Sequence, residues 1–165
     1  MSILCIVPCS SRKIWDKYPY MSGVRARDAY IGPLTRMAIR YAERFHRGSW
    51  VILSAKYGFL SPDDVVPGPY NVTFKLKNTN PIGIEELIRQ AQEKGLYGYD
   101  VIVVLGGKDY VEVVKRVFKS RRVINPLEGL SYGKKIKRLK EALLSGRPLV
   151  GEEEGLNSCQ NEPEV

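Results

Sequence analysis

Apolar positions along the chain fall into two alternating kinds of block. Four runs read as strands: residues 2–8, 50–54, 101–105 and, shorter, 122–124. The run "DVIVVLGG" is unbroken, as expected of a parallel strand covered on both faces. Between the runs, apolar residues recur at helical spacing. In "GPLTRMAIRYAERFH", Leu34, Met37, Ala38, Tyr41 and Phe45 share one face and Pro33 sits in the first turn. "PIGIEELIRQAQEKG" opens on acids and closes on Lys94 and Gly95, in keeping with the helix dipole and a C-terminal cap. "KDYVEVVKRVFKS" aligns Val111, Val114, Val117 and Phe118, with Asp109 as candidate N-cap. "SYGKKIKRLKEALLSG" aligns Ile136, Leu139 and Leu143 between Ser131 and Gly146.

Strands that alternate with helices predict an α/β fold: a three-layer sandwich, with a mainly parallel four- to five-stranded sheet and helices on both faces. Residues 61–80 interrupt the alternation with three prolines and a predicted β segment at Asn71 to Leu76. An excursion of this length reads as a site loop or lid. Residues 1–150 are expected to form a single domain. Residues 151–165 are expected to be a disordered acidic tail.

Charge sharpens this division. Five of the 18 acids lie in residues 152–164, so all 26 cations of the first 150 residues face 13 acids, a net +13 where the whole chain carries +8. Such an excess attracts polyanions such as nucleotides and nucleic acid, although a lysine-rich solvated surface would look the same. No stretch has the apolar length of a membrane span, and the start lacks the basic and apolar regions of a signal peptide, so no membrane partner and a cytoplasmic location are expected. Cys5, Cys9 and Cys159 show no zinc spacing, and His46 is the sole histidine, so no metal and no cofactor are predicted. Oligomeric state is not encoded in any pattern of the chain.

In open parallel sheets ligands bind beyond the carboxyl ends of the strands. Each strand exit here is chemically unusual. The first opens onto Cys9, Ser10, Ser11, Arg12 and Lys13; the second onto Ser54, Lys56, Tyr57 and Gly58; the third onto Gly106, Gly107, Lys108 and Asp109; the fourth onto "NPLEGLSYGKK". Cys9 reads as a small buried residue or as a thiolate activated by Arg12 and Lys13. Lys13 and Lys56 read as sources of positive charge or of a nucleophilic amine. The Gly106, Gly107 and Lys108 turn suits a phosphate or oxyanion. Tyr57, Tyr70 and Tyr110 stack on a base or pad a rim, Asn71 is placed to read a base edge, and Asp109 is a cap or a general base. Lys17, Arg25 and Arg27 alternate with Trp15, Tyr18, Tyr20 and Tyr30, as in a platform for single-stranded nucleic acid or as in an ordinary packed loop. His46, at a helix end, reads as a residue that satisfies the dipole.

The segments "CSSRK", "RDAYIGPLTRMAIRYAE", "WVILSAKYGFLSPDDVVPGPYN" and "GKDY" resemble a family of small uncharacterised α/β domains with Cys-Ser-x-x-Lys and Ser-Ala-Lys-Tyr-Gly motifs, over roughly residues 3–145. More distantly, Pro8, Cys9, Ser10 and Lys13 are similar to a motif in the core domain of archaeosine synthase, which modifies a deazaguanine base in transfer RNA. That resemblance implies a sandwich like that of uracil-DNA glycosylases. The resulting expectation is an enzyme acting on a nucleobase, nucleoside or nucleotide, free or in RNA or DNA, with Cys9, Ser10, Lys13 and Lys56 at the reacting centre. Ser11, Arg12, Tyr57, Tyr70, Asn71, Gly106, Gly107, Lys108 and Asp109 would bind the substrate. The alternative is a non-catalytic nucleic-acid-binding module.

Overall fold

A computed structural model describes residues 2–150; the acidic tail and Cys159 lie outside the described residues. In chain order the elements are β1 (Ile3–Pro8), a 3-10 turn (Ile14–Asp16), β2 (Val24–Arg25), α1 (Ala26–Ala29), α2 (Pro33–Phe45), β3 (Trp50–Ser54), β4 (Gly58–Leu60), β5 (Val65–Val66), α3 (Ile84–Glu93), β6 (Val101–Val104), α4 (Lys108–Val117), β7 (Arg122–Ile124) and α5 (Tyr132–Ser145). Five strands form one sheet in the order β4-β3-β1-β6-β7. β3, β1, β6 and β7 run parallel and β4 closes one edge antiparallel to β3. The fold is thus the mainly parallel α/β sandwich expected.

Strand alternation divides the core into two halves. Cys5 and Val7 of β1, with Trp50 and Ile52 of β3 and Val101 and Val103 of β6, face one side, where Leu34, Ala38, Tyr41 and Ala42 of α2 and Leu139 and Ala142 of α5 cover them. Leu4 and Ile6, with Val51, Leu53, Ile102 and Val104, face the other side, under Leu87 and Ala91 of α3 and Val111, Val114 and Val117 of α4. Period-2 strands sandwiched between 3.6-period helices leave no solvent face on the central strands. Full burial of each such Val, Leu or Ile contributes about 1.5–3 kcal/mol.

Two local expectations differ from the structure. Residues 71–76 form turns, not a strand, because their polar groups bond locally. The Thr79 hydroxyl accepts from the Thr73 N–H at 3.1 Å and lies 2.6 Å from the Leu76 carbonyl, while the Thr73 hydroxyl accepts from the Lys75 N–H at 3.2 Å. The excursion instead supplies β5, which pairs antiparallel with β2 in a small ribbon apart from the main sheet. The N-cap of α4 is Gly107, not Asp109, which falls in the first turn. Among the described residues no helix is long and apolar enough to cross a membrane.

Candidate functional site

The chain passes from β1 outward to β3 and then returns across β1 to β6. Connections leaving β1 and β6 therefore diverge, and a crevice opens between them at the carboxyl ends of the strands. A hollow of about 500 Å³ occupies this place. Two larger hollows, of about 720 and 580 Å³, lie elsewhere. The first mixes Arg27, Arg47 and Lys94 with Glu43 and Asp63 and holds no unusual group. The second adjoins the crevice, with Phe74 and Asp109 on both rims.

The β1 exit is held by hydrogen bonds that its serines and neighbours supply. The Ser10 hydroxyl donates to the Arg12 carbonyl at 2.6 Å and accepts from the Gly32 N–H at 3.2 Å, and the Thr35 hydroxyl donates to the Pro8 carbonyl at 3.0 Å. A Cβ at position 32 would stand 2.7 Å from the Ser10 Cβ, so only glycine lets the start of α2 approach this closely. Lys13 turns back into the protein, with only 4% of its surface exposed. Its Nζ donates to the carbonyls of Ser10 and Ser11, both at 3.1 Å, and lies 4.3 Å from the centroid of the Tyr70 ring. Burial pulls the Lys13 ammonium below its ordinary pKa, against the pull of Cys9 and Asp16 in the other direction.

The β3 exit is organised by Ser54, which is fully buried. Its Oγ accepts from the N–H groups of Lys56 at 3.2 Å and Tyr57 at 3.0 Å, and shares a 2.7 Å hydrogen bond with the Tyr70 hydroxyl. The Tyr70 hydroxyl in turn bonds that of Tyr30. The Tyr57 ring meets the Tyr70 ring edge to face, with centroids 5.3 Å apart. Burial raises the Tyr30 phenol to about 12 and drives those of Tyr70 and Tyr110 upward as well, so all three are neutral at physiological pH.

Cys9 sits where the exits of β1 and β6 meet, with its Sγ 3.0 Å from the Tyr110 hydroxyl, which also donates to the Cys9 carbonyl at 3.2 Å. Burial raises the thiol pKa and outweighs the lowering by Tyr110, by the Ala55 backbone and by Lys13. Burial therefore favours the reading of Cys9 as a protonated, small buried residue over that of an activated thiolate, because a thiolate here would lose more hydration than its neighbours restore.

Of the residues expected at the site, Cys9, Ser10, Ser11, Arg12, Lys13, Asn71, Gly107 and Asp109 line the hollow. Lys56, Tyr57, Tyr70, Gly106 and Lys108 do not. Lys56 is exposed and braces the aromatic cluster from outside, its Nζ 5.3 Å from the Tyr57 centroid and 5.5 Å from that of Tyr70. Gly106 is buried beneath the Tyr110 ring. Lys108 is exposed because successive helical positions diverge by about 100°, so Lys108 and Asp109 cannot share the face turned to the hollow. Tyr70 spends its hydroxyl on Ser54 and Tyr30, which makes it a scaffold for Lys13.

Several lining residues carry no sequence signal of their own. Lys135 of α5 stands over the glycine turn, its Nζ 3.7 Å from where a Gly107 Cβ would be. Lys75 and Phe74 come from the excursion, Leu34 and Thr35 from α2, and Tyr132 from α5. The Phe74 and Tyr110 rings meet edge to face at 5.6 Å. The only available pointer to Lys135 was the basic helix start after the fourth strand. Of the aromatic platform, Trp15 and Tyr30 are buried, the former donating to the Met21 carbonyl at 3.0 Å, while Tyr18 and Tyr20 are exposed. His46 is the C-cap of α2, remote from the hollow lining, and burial lowers its pKa. Among the described residues no group of three or more His, Cys, Asp and Glu side chains is placed to hold a metal.

Residues 4–141 match DUF6884, a family of unknown function, and the chain belongs to that family. The uncharacterized protein YfjM of Bacillus subtilis (strain 168) is 45% identical over 136 residues, spanning 80% of this chain and 90% of its own. A crystal structure of AF0587, a protein of unknown function, aligns with 84% of this chain at 21% identity and a TM-score of 0.39; this chain spans 43% of that one.

Proposed function

We propose that the protein is an enzyme that acts on a nucleobase, nucleoside or nucleotide, free or within RNA or DNA, by transfer, modification or cleavage at the base or its glycosidic bond. The observation that carries this reading is the convergence of Cys9, Lys13, Asn71 and Asp109 on one 500 Å³ concavity. A binding module would spread its cations over an open face, whereas a hollow of this size suits one small ligand. The similarity of Pro8, Cys9, Ser10 and Lys13 to the archaeosine synthase motif points to the same substrate class.

Roles follow from the surroundings. Lys13 acts as a fixed buried cation: two carbonyls and an aromatic face hold it, and it stabilises negative charge that develops on a base losing its bond. Among the described residues Asp109 is the only carboxylate on the lining, suited to accept a proton from base or water. Asn71 reads the base edge, Phe74 and Tyr110 offer ring surface, and the Cys9 sulfur, its proton directed to the Tyr110 hydroxyl, is a weak acceptor at the wall.

The test is a panel of free bases, nucleosides, nucleotides and short RNA and DNA strands, followed by ligand-observed NMR for binding and by mass spectrometry for altered or released base. Turnover that Asp109→Asn abolishes while binding survives supports an enzyme. Strand binding with steep salt dependence and no altered base in any arm would replace it with the binding module.

A further inference from the structure

The lining of the hollow has a marked charge imbalance. Among the described residues, Arg12, Lys13, Lys75 and Lys135 line it against Asp109 alone. Among the described residues no carboxylate lies within ion-pair distance of Arg12, Lys75 or Lys135. Concave cations without internal partners leave the protein's own field uncompensated there, and a low-dielectric wall focuses it.

The backbone adds to that field. The N-cap and first turn of both α2 and α4 reach the lining, as does the first turn of α5. Each helix carries partial positive charge at this end, although the Leu34 N–H already meets the Tyr132 hydroxyl and the Lys134 N–H the Ser131 hydroxyl. Lys135 overhangs Gly107, the N-cap of α4, and no side chain fills the space between them.

We infer that this end of the hollow is a phosphomonoester subsite, formed by Lys135, Arg12 and the Gly107 turn, and that the ligand is a nucleotide whose terminal phosphate docks there. The inference rests on the nucleobase reading above and extends it by assigning the charged end of the substrate. A dianionic terminal phosphate suits the two unpaired cations of this subsite, Arg12 and Lys135, better than an internal phosphodiester with its single charge. The hollow has room for about one nucleotide rather than a strand.

Calorimetry on the full chain tests this with inorganic phosphate, nucleosides, their 5′-monophosphates, and single strands bearing either a 5′-phosphate or a 5′-hydroxyl. Monophosphates should bind at least tenfold more tightly than nucleosides, with inorganic phosphate competing. Lys135→Met or Arg12→Met should reduce monophosphate affinity at least tenfold and leave nucleoside affinity within twofold. Gly107→Ala is a second probe, since its methyl meets only the Lys135 ammonium and enters the space assigned to the anion. Strands with a 5′-phosphate that match the monophosphates, with 5′-hydroxyl strands weak, would place the ligand at a chain end; weak strands of both kinds would make it a free nucleotide. Nucleosides as tight as monophosphates, phosphate binding indifferent to all three substitutions, or 5′-hydroxyl strands as tight as phosphorylated ones would overturn the subsite while the nucleobase reading stands. No binding of any probe would overturn both.

Discussion

The Lys13 ammonium lies 4.3 Å from the centre of the Tyr70 ring, and that ring is fixed because its hydroxyl bonds both Ser54 and Tyr30. A cation from the β1 exit is thus held by a ring from the proline-rich excursion, which is itself pinned to the end of β3. The two ends of the chain segment that frames the hollow are coupled through one phenol.

Tyr70→Phe should therefore destabilise the fold by about 1–3 kcal/mol, because the buried Ser54 and Tyr30 hydroxyls lose a partner. Tyr70→Leu should cost about 0.5–2 kcal/mol more as the cation–ring contact disappears. Urea denaturation of the two variants measures the difference, and equal losses would show that the ring contributes nothing to holding Lys13.

Alkylation should reveal the protonation state of Cys9. With its pKa raised by burial, the thiol should react with iodoacetamide more slowly than a free thiol at neutral pH, and its rate should still be climbing above pH 9. Peptide-resolved mass spectrometry separates it from the other cysteines. A rate that levels off below pH 8 would mean an activated thiolate after all.

His46 gives the fold an acid-side weakness. Its pKa is lowered from 6.5 by burial, so the unfolded chain binds the proton more readily than the folded one. Stability should be full above pH 6.5 and fall as pH drops below it, by about 1.4 kcal/mol for each unit of depression. His46→Phe, which keeps a ring against Tyr41, should flatten stability between pH 6.5 and 5. An unchanged slope would assign the acid sensitivity to the carboxylates.

On the alkaline side the sign reverses. Tyr30 rises from 10 to about 12 in the folded protein, so the native state keeps its proton where the unfolded state loses it. Stability should be intact below pH 10 and decline from there towards 12, and Tyr30→Phe should reduce the decline. Tyrosinate absorbance during alkaline titration follows the group directly.

Gly58 should be intolerant of any side chain. Its φ is +82°, and a Cβ would come 2.1 Å from Oε1 of Gln90, whose amide accepts from the Phe59 N–H at 2.8 Å and donates to the Tyr57 carbonyl at 2.9 Å. Gly58→Ala combines left-handed strain with loss of that bridge and should cost about 2–4 kcal/mol in thermal or urea denaturation. A neutral result would show that the β3–β4 turn relaxes freely.

Hydrophobic period alone determined the layers of this protein. The runs around Ile6, Ile52 and Val103 are apolar on successive residues, and a chain segment with no polar face has to lie between two others, so helices on both sides were legible from the sequence. Legible too was the clustering of unusual residues at strand ends, since a parallel sheet puts all those ends on one edge. Two short pairings, β4 against β3 and β2 against β5, are not legible in the sequence, because two or three residues carry no measurable period. What only the tertiary structure decided was which side of each exit faces inward. Lys56 and Lys108 sit in conspicuous motifs yet point outward, while Lys135, one cation among many on a basic helix, stands over the glycine turn. The packing of α4 and α5 against the rest of the fold fixes that choice for Lys108 and Lys135, and packing is not a local property of the chain. The same holds for Cys9: nearby cations argue for a thiolate when read along the sequence, but desolvation depends on everything packed around the sulfur, and there it wins.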